Sequence, residues 1–207
     1  MTMDASYNFL KKFKIFEACD EGGQKNNLDY VHFRGGFAYA SNAHIIVRVP
    51  LRVCTSFGED DYKKLDGFSI HASLLKMLMQ YDVLMIDEGV NMDENGDLYN
   101  FVELQSIVGK NDVKVILRKY IDKEFKIPNF EEVINTGRET EIPITSIGFR
   151  IKFLKTIAAA MGQETIFLRF TKAAGKVYVI PEDEYIAGTI GVIMPVYQDG
   201  ELPFDNR

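Results

Sequence analysis

The sequence has few of the residue types on which metal centres and redox sites depend. Its 207 residues include two cysteines and three histidines. Cys19 and Cys54 have no metal-binding spacing, and the histidines show no ligand-like spacing with Cys, Asp or Glu. Two isolated cysteines are typical of small buried residues in a reducing cytoplasm. We therefore predict no metal ion and no cofactor.

Long apolar segments are missing as well. No stretch reaches the roughly 18 consecutive apolar residues that indicate a membrane-spanning helix. The N-terminal residues Met1-Thr2-Met3-Asp4 lack the basic-then-apolar form of a signal peptide. The sequence therefore predicts a cytoplasmic protein without a membrane partner.

Catalytic motifs are equally scarce. The chain has no Walker-type phosphate loop, no Gly-x-Gly-x-x-Gly and no Gly-x-Ser-x-Gly. Residues 93–97 are faintly similar to a calcium loop, but they lack its spaced ligands and closing Glu, and a polar hairpin turn is the simpler interpretation. Because nothing supports a carboxylate pair for acid–base chemistry either, we predict that the protein is not an enzyme.

The pattern of apolar residues indicates an α+β protein. A hydrophobic fraction of 46% and a length of 207 residues fit one large or two small globular domains. Helical spacing occurs over residues 7–18, 70–80 and 148–161. Strand-like runs occur at residues 30–33, 37–40, 45–49, 83–86, 98–104, 166–170, 177–180 and 185–196. Residues 55–67 are predicted as loop and 122–143 as a connector, whereas 113–117 fit either a strand or a helix.

Two widely separated segments resemble one protein family. One is Tyr39-Ala40-Ser41-Asn42-Ala43-His44-Ile45-Ile46-Val47, and the other is Gly188-Thr189-Ile190-Gly191-Val192-Ile193-Met194-Pro195-Val196. In this order they are similar to segments of the bacterial sliding DNA clamp, the beta subunit of DNA polymerase III. Further similar stretches lie at residues 16–20, 27–33, 68–78, 120–134 and 149–154. The family has Asp-Gly where this chain has Asn42-Ala43, and a Met followed by a basic residue where it has Val196-Tyr197.

The resemblance implies a shortened clamp-like fold. Residues 1–135 would correspond to the middle clamp domain, and residues 136–207 to the end of the final domain. We expect antiparallel sheets with helices on one face, arranged as repeated helix-plus-strands half-domains.

The resemblance also implies a hydrophobic pocket for short peptides of DNA polymerases or repair proteins. The positions that match it are Ser41, Ala43, His44, Ile46, Val192, Met194, Pro195 and Val196. Met and aliphatic side chains form an adaptable apolar surface. The alternative for the valines and isoleucines is a plain sheet core. Gln198 to Phe204 loosely resembles the Gln…Leu-x-Phe peptides that clamps bind.

Charge is segregated along the chain in a way that fits DNA contact. The formal net charge is −6, yet the three predicted helices contain basic residues and no acid over residues 5–16, 68–81 and 148–161. The basic residues that we assign to DNA binding are Lys11, Lys12, Lys14, Lys76, Arg150, Lys152 and Lys155. The alternative is that they are ordinary solvated positions. Contacts of this kind would recognise phosphates rather than sequence.

These observations predict a sliding-clamp-like processivity factor. It would encircle or contact duplex DNA and tether partner proteins through the peptide pocket. Three helices per chain would suggest a homo-oligomer, although a half-lost domain would equally leave a monomer. The alternative from another class is a ring-less protein-binding module without DNA binding.

Overall fold

The computed structural model of the protein describes residues 7–20, 22, 27–106, 113–118, 127–136, 149–170, 176–183 and 186–194. Numbered in chain order, the strands are β1 Tyr30–Arg34, β2 Phe37–Ser41, β3 Ile45–Pro50, β4 Ser69–His71, β5 Leu84–Met92, β6 Leu98–Ser106, β7 Lys114–Arg118, β8 Ile166–Phe170, β9 Val177–Pro181 and β10 Ile190–Ile193. The helices are α1 Leu51–Cys54, α2 Glu59–Lys64, α3 Ala72–Leu78, α4 Phe130–Asn135 and α5 Ile151–Met161.

The strands form two antiparallel sheets. The larger has seven strands in the order β4-β1-β2-β3-β10-β9-β8, and the smaller has three in the order β5-β6-β7. The α+β prediction with antiparallel sheets is therefore confirmed. At the centre of the larger sheet β3 pairs with β10, so that Ile46 lies opposite Val192. Strands from both predicted domains thus belong to one sheet, and the boundary at residue 135 stays a prediction.

The larger sheet is covered on both faces, which corrects the expectation of helices on one face. Val47 and Val49 of β3 point into the main core with Phe153 and Ile157 of α5. The alternate residue Ile46 belongs to a separate apolar cluster on the opposite face. There α4 packs its buried residues Phe130 and Ile134 against Tyr39, Tyr178 and Val192. Because successive side chains of a strand point to opposite faces, β3 contributes residues to both apolar clusters.

The predicted N-terminal helix is wrong for the described residues 7–18. Only Ile15–Ala18 is helical, and it forms a short 3-10 turn. The backbone N–H of Leu10 donates to the carbonyl of Cys54, and that of Lys14 donates to the carbonyl of Ala159. Backbone N–H groups that donate to distant carbonyls are not available for the i to i−4 bonds of an α-helix, so tertiary contacts override the apolar spacing.

Other predictions were refined by the structure. The polar region 55–67 contains α2, and the connector contains α4. The ambiguous segment 113–117 is a strand from Lys114 onward, since β7 pairs with β6 and buries the alternate residues Val115 and Leu117. No helix in the described part of the chain is long and apolar enough to cross a membrane.

Candidate nucleic-acid interface and partner surface

A groove of about 500 Å³ lies between α3 and α5, and we call it the basic groove. Its lining includes Phe16, Glu17, Cys19, Asp20, Asn42, Ala72, Ser73, Lys76, Lys152, Phe153 and Thr156. The two helices are anchored by apolar residues on their inner sides, which include Leu75 and Leu78 of α3 and Ile157 of α5. Their polar positions therefore face outward, and Lys76 and Lys152 line the same opening.

The start of α3 is set by its N-cap residue, His71. The imidazole Nδ1 accepts the backbone N–H of Ser73 at 3.3 Å and lies 2.7 Å from the Ser73 hydroxyl. On the other side of the ring, Nε2 lies 3.5 Å from Asp29 Oδ2. This arrangement satisfies an otherwise unpaired N–H at the helix start and orients the first turn of α3 beside the basic groove.

Three predicted DNA contacts lie together on α5 and its N-cap. Arg150, Lys152 and Lys155 are all exposed, and α5 contains no acidic residue. The Arg150 guanidinium lies 5.9 Å from the centre of the Phe153 ring, which holds it near the helix start. Lys76 lies across the groove with its ammonium 5.8 Å from the Phe16 ring. The structure thus places Lys76 and Lys152 at one groove, with Arg150 and Lys155 exposed on the same helix and N-cap as Lys152.

Lys11, Lys12 and Lys14 are exposed, but they lie on the irregular N-terminal segment rather than on a helix. This segment runs beside the C-terminal end of α5, where Lys14 bonds to Ala159 through the backbone. The Lys11 ammonium forms an exposed ion pair with Asp82 at 3.2 Å. Lys11 is therefore the weakest of the predicted phosphate contacts.

Two acidic residues in the basic groove were missed by the sequence analysis. Glu17 and Asp20 belong to the groove lining, although neither lies on α3 or α5. They lie in and after the 3-10 turn, which the sequence analysis assigned to the end of a helix. The groove lining consequently has two basic residues on its helices and two acidic residues in the segment around the 3-10 turn.

The predicted peptide pocket is brought together only in part. Strand pairing places Ser41 opposite Ile46, and Ile46 opposite Val192, on the face that α4 covers. Met194 follows two residues after Val192 and is 40% exposed. Ser41 and Val192 are buried, so Ile46 and Met194 are the accessible apolar positions. Pro195 and Val196 lie outside the described residues.

Ala43 and His44 belong to the β2–β3 turn instead of the apolar surface. The Asn42 side chain accepts the backbone N–H groups of His44 and Ile45, each at 3.1 Å. Ala43 has a φ of 69°, a conformation that glycine adopts at lower cost. The exposed His44 ring stacks on Phe153 of α5, with ring centres 5.3 Å apart. The structure therefore places His44 beside α5 and away from Ile46.

An unpredicted polar cluster fixes α4 on the sheet. Glu131 accepts hydrogen bonds from the Tyr39 hydroxyl at 2.6 Å and from Arg48 at 2.7 Å. Desolvation opposes ionisation of Glu131, but these bonds outweigh it and lower its pKa. Burial, together with the Glu131 carboxylate, raises the pKa of Tyr39. A polar residue such as Arg48 inside an apolar strand was the one available sequence signal for this cluster.

The opposite end of α4 is also held by side chains of the sheet. The Lys176 ammonium donates to the Val133 carbonyl at 2.8 Å, and the Tyr178 hydroxyl donates to the Ile134 carbonyl at 2.7 Å. These bonds satisfy terminal carbonyls that have no partner within a helix. Because α4 borders Ile46 and Val192, its fixed position limits the depth of any peptide groove on this face.

Both cysteines are buried. Burial raises the pKa of the Cys54 thiol to about 12 and raises that of Cys19 as well. Thiols of this kind are protonated and poor nucleophiles at neutral pH. Within the described ranges, no cluster of three His, Cys, Asp or Glu residues has a geometry suited to a metal ion.

No protein-family model matches the chain, and no curated protein or solved structure is detectably similar to it. The function proposed below is therefore supported by the geometry and chemistry of the chain and by the sequence resemblance to the sliding clamp.

Proposed function

We propose that the protein is a clamp-like processivity factor that contacts the phosphates of duplex DNA along α3 and α5. The observation that carries this proposal is the basic groove, where two acid-free helices present Lys76 and Lys152 to one opening. Arg150 and Lys155 extend the basic surface along α5. Lysines of this kind release counterions from DNA without reading bases. The proposed activity is tethering, and it needs no catalytic group.

The distribution of acidic residues in the fold is consistent with this proposal. Apart from Glu17 and Asp20 in the groove lining, many acidic residues that the structure describes lie on other elements, for example on α2 and on the β5–β6 hairpin. A protein with a formal net charge of −6 can therefore still present a basic surface to DNA. Repeated clamp-like half-domains, ring closure and a homo-oligomeric state belong to this proposal.

The DNA contact predicts a defined loss in a double charge reversal. We expect Lys76→Glu combined with Lys152→Glu to weaken binding to a labelled duplex by about ten-fold or more at moderate salt. The slope of log Kd against log salt should fall by about 2, since each phosphate contact contributes about 0.9. Fluorescence anisotropy over a salt series measures both quantities.

The matched control reverses two arginines outside the groove. Arg34 ends β1 at its hairpin, and Arg118 lies on the exposed side of β7 above Tyr99. Arg34→Glu with Arg118→Glu changes the net charge by the same amount and should leave the salt slope nearly unchanged. An equal loss in both double variants would mean that net charge alone governs binding, and the proposed groove contact would be rejected.

We propose further that Ile46, Val192 and Met194 form the floor of a peptide site beside α4. Ile46 lies opposite Val192 in the apolar cluster below α4, and the exposed Met194 follows two residues later in the chain, which supports this. A labelled peptide with the Gln…Leu-x-Phe pattern is the probe. Met194→Glu should weaken its binding about ten-fold, because it places a charge on the one clearly exposed apolar position of the row. Phe167→Glu, a change at an exposed position on the edge strand β8, is the control.

The two halves of the proposal can be separated. Met194→Glu should leave DNA affinity unchanged, since Met194 is not among the residues that line the basic groove. Peptide binding that is lost equally in Met194→Glu and Phe167→Glu would contradict the site. DNA binding without peptide binding would leave a DNA-contacting protein, and the reverse result would favour the ring-less protein-binding module.

A further inference from the structure

A histidine, a serine and an aspartate meet beside the start of α3. The imidazole Nδ1 of His71 lies 2.7 Å from the Ser73 hydroxyl, and Nε2 lies 3.5 Å from Asp29 Oδ2. All three residues line one cavity of about 240 Å³, and Ser73 also lines the basic groove. A hydroxyl bonded to a base, with a carboxylate on the far side of that base, is the arrangement that activates a serine for acyl transfer.

The hydrogen bonds of His71 fix which ring nitrogen carries the proton. The backbone N–H of Ser73 lies 3.3 Å from Nδ1, and a backbone N–H can only donate. Nδ1 of the neutral ring is therefore an acceptor, and the proton is on Nε2, which faces the Asp29 carboxylate. The Ser73 hydroxyl must then donate to Nδ1. The ring is thus in the tautomer that a general base for Ser73 requires.

The backbone holds the three groups in fixed positions. β1 and β4 pair with Tyr30 opposite His71, and the N–H of Ala72 donates to the Asp29 carbonyl at 2.9 Å. The Tyr30 ring packs at 88° to the imidazole, with ring centres 5.3 Å apart. Asp29 directly precedes β1, and Ser73 lies in the first turn of α3. Reacting groups that are anchored to regular elements keep their geometry better than groups on loops.

Helix capping accounts for only part of this arrangement. A cap needs one acceptor for the Ser73 N–H, and Nδ1 supplies it. The shorter contact of Nδ1 is with the hydroxyl of Ser73, an exposed residue whose side chain has no part in the cap. Capping also needs no carboxylate on the far side of the ring. The positions of Ser73 Oγ and Asp29 are therefore left to be explained by chemistry.

The cavity indicates the class of substrate. Its lining includes the apolar residues Phe16 and Ala72, and its volume lies below the roughly 300 Å³ at which sites for drug-sized ligands begin. Asp20 and Asp29 contribute carboxylates, and the described lining contains no lysine or arginine. Two carboxylates repel an anionic substrate. An uncharged ester of a short carboxylic acid fits both the size and the charge of the cavity.

We propose that Ser73 is a nucleophile that hydrolyses small uncharged esters, with His71 as its general base and Asp29 as a positioning residue. Ser73 Oγ attacks the carbonyl carbon while its proton passes to His71 Nδ1. The bond from that carbon to the leaving oxygen then breaks, and the leaving oxygen takes the proton. Water attacks the acyl-serine in the same way, which releases the acid and returns a proton to Ser73 Oγ. This activity is additional to the proposed DNA tethering and does not depend on it.

A fluorophosphonate probe tests the nucleophile in the absence of DNA. An activated serine attacks the phosphorus, fluoride leaves, and the phosphonyl group stays on the serine oxygen. We expect peptide mass spectrometry to locate the label on Ser73 of the full chain, and Ser73→Ala to abolish it. His71→Asn should slow labelling about 100-fold, because the base is lost. Asparagine is a good N-cap residue, so this variant should keep the start of α3.

Hydrolysis of p-nitrophenyl acetate measures the complete cycle. Ser73→Ala and His71→Asn should each lower kcat about 100-fold. Asp29→Asn should lower kcat about ten-fold or more with KM nearly unchanged, since the ring loses the carboxylate that orients it while the cavity keeps its shape. A purely structural role of Asp29 would not separate kcat from KM.

The control is a histidine outside the cavity, because an exposed imidazole can attack an activated ester without any binding site. His44 is exposed and stacks on Phe153. His44→Asn should leave both labelling and hydrolysis unchanged. Ester hydrolysis that falls equally in His44→Asn and His71→Asn would overturn the proposal.

The unaltered chain supplies a test that does not depend on the folding of any variant. Failure of the probe to label Ser73 in this chain would reject the nucleophile outright. Circular dichroism of each variant should show the secondary structure of the unaltered chain. Because no DNA is present in either assay, this proposal and the proposed DNA contact can fail separately.

Discussion

Replacing Gly191 by alanine is expected to destabilise the protein by about 2 kcal/mol, and replacing it by valine by about 3 kcal/mol or more. A Cβ at this position would lie 2.6 Å from Ile157 Cγ2 and 3.1 Å from Val179 Cβ. Both neighbours are fully buried, so neither can move into solvent. The helix α5 would have to shift away from β10. Urea denaturation monitored by circular dichroism measures the free energy of unfolding.

A double-mutant cycle distinguishes the steric cause from a general intolerance of the strand. Ile157→Ala removes the methyl group that the new Cβ would strike, so Gly191→Ala should cost clearly less in that background. Gly22→Ala is the control, because its Cβ would come no closer than 3.6 Å to Asp20. Equal costs in both backgrounds would mean that α5 does not lie directly over β10, which would contradict the described packing.

Acid is expected to destabilise the fold through His32, which is fully buried. Burial lowers the pKa of His32 to about 4, from an ordinary value of 6.5. Its Nε2 lies 3.0 Å from the Asn27 carbonyl, which can only accept, so this nitrogen carries the proton of the neutral ring. The Ser69 hydroxyl, 2.8 Å away, then donates to Nδ1. Protonation would place a charge among buried groups beside Phe130.

The protein is less stable in acid because the unfolded chain binds a proton at His32 more readily than the folded chain does. The unfolded chain binds a proton at this ring below pH 6.5, and the folded chain does so only near pH 4. The contribution of the neutral His32 ring to the free energy of unfolding is therefore fully present above pH 6.5. This contribution is lost as the pH decreases from 6.5 to 4. Between about pH 7.5 and 5 the loss from this one residue should be about 2 kcal/mol.

Denaturation curves at several pH values test this directly. His32→Asn should lower stability at neutral pH, but it should remove most of the pH dependence in this window. His71→Asn is the matched control, because His71 is partly exposed at the start of α3 and should leave the dependence through His32 in place. A His32→Asn chain that keeps the full acid sensitivity would assign the effect to other groups.

The sequence predicts elements that bury one regular face, and it fails where a segment is organised by distant partners. The spacing of Phe153, Ile157, Ala160 and Met161 predicts α5 within a few residues. Phe9 and Phe13 have similar spacing, yet they fill the core from an irregular segment that bonds to Cys54 and Ala159. The pattern is the same in both cases, and only the tertiary hydrogen bonds differ.

The residues of the candidate site likewise include some that the sequence predicts and some that it does not. Lys76 and Lys152 could be assigned to one surface, because acid-free helices are visible in the sequence. Glu17 and Asp20 could not be placed in the same groove, since their position depends on the 3-10 turn. The Tyr39–Arg48–Glu131 cluster was equally hidden, because Glu131 lies 83 positions after Arg48 in the sequence. Pairings of that range are set by topology rather than by local pattern.

The pairing of β3 with β10 has a consequence for biosynthesis. When β1, β2 and β3 have emerged from the ribosome, the inner edge of β3 still exposes its N–H and C=O groups, because its partner lies more than a hundred residues downstream. An unsatisfied strand edge is a template for pairing with other nascent chains. Folding dominated by such distant contacts is slow. The yield of native protein should therefore depend on the time between the synthesis of β3 and the synthesis of β10.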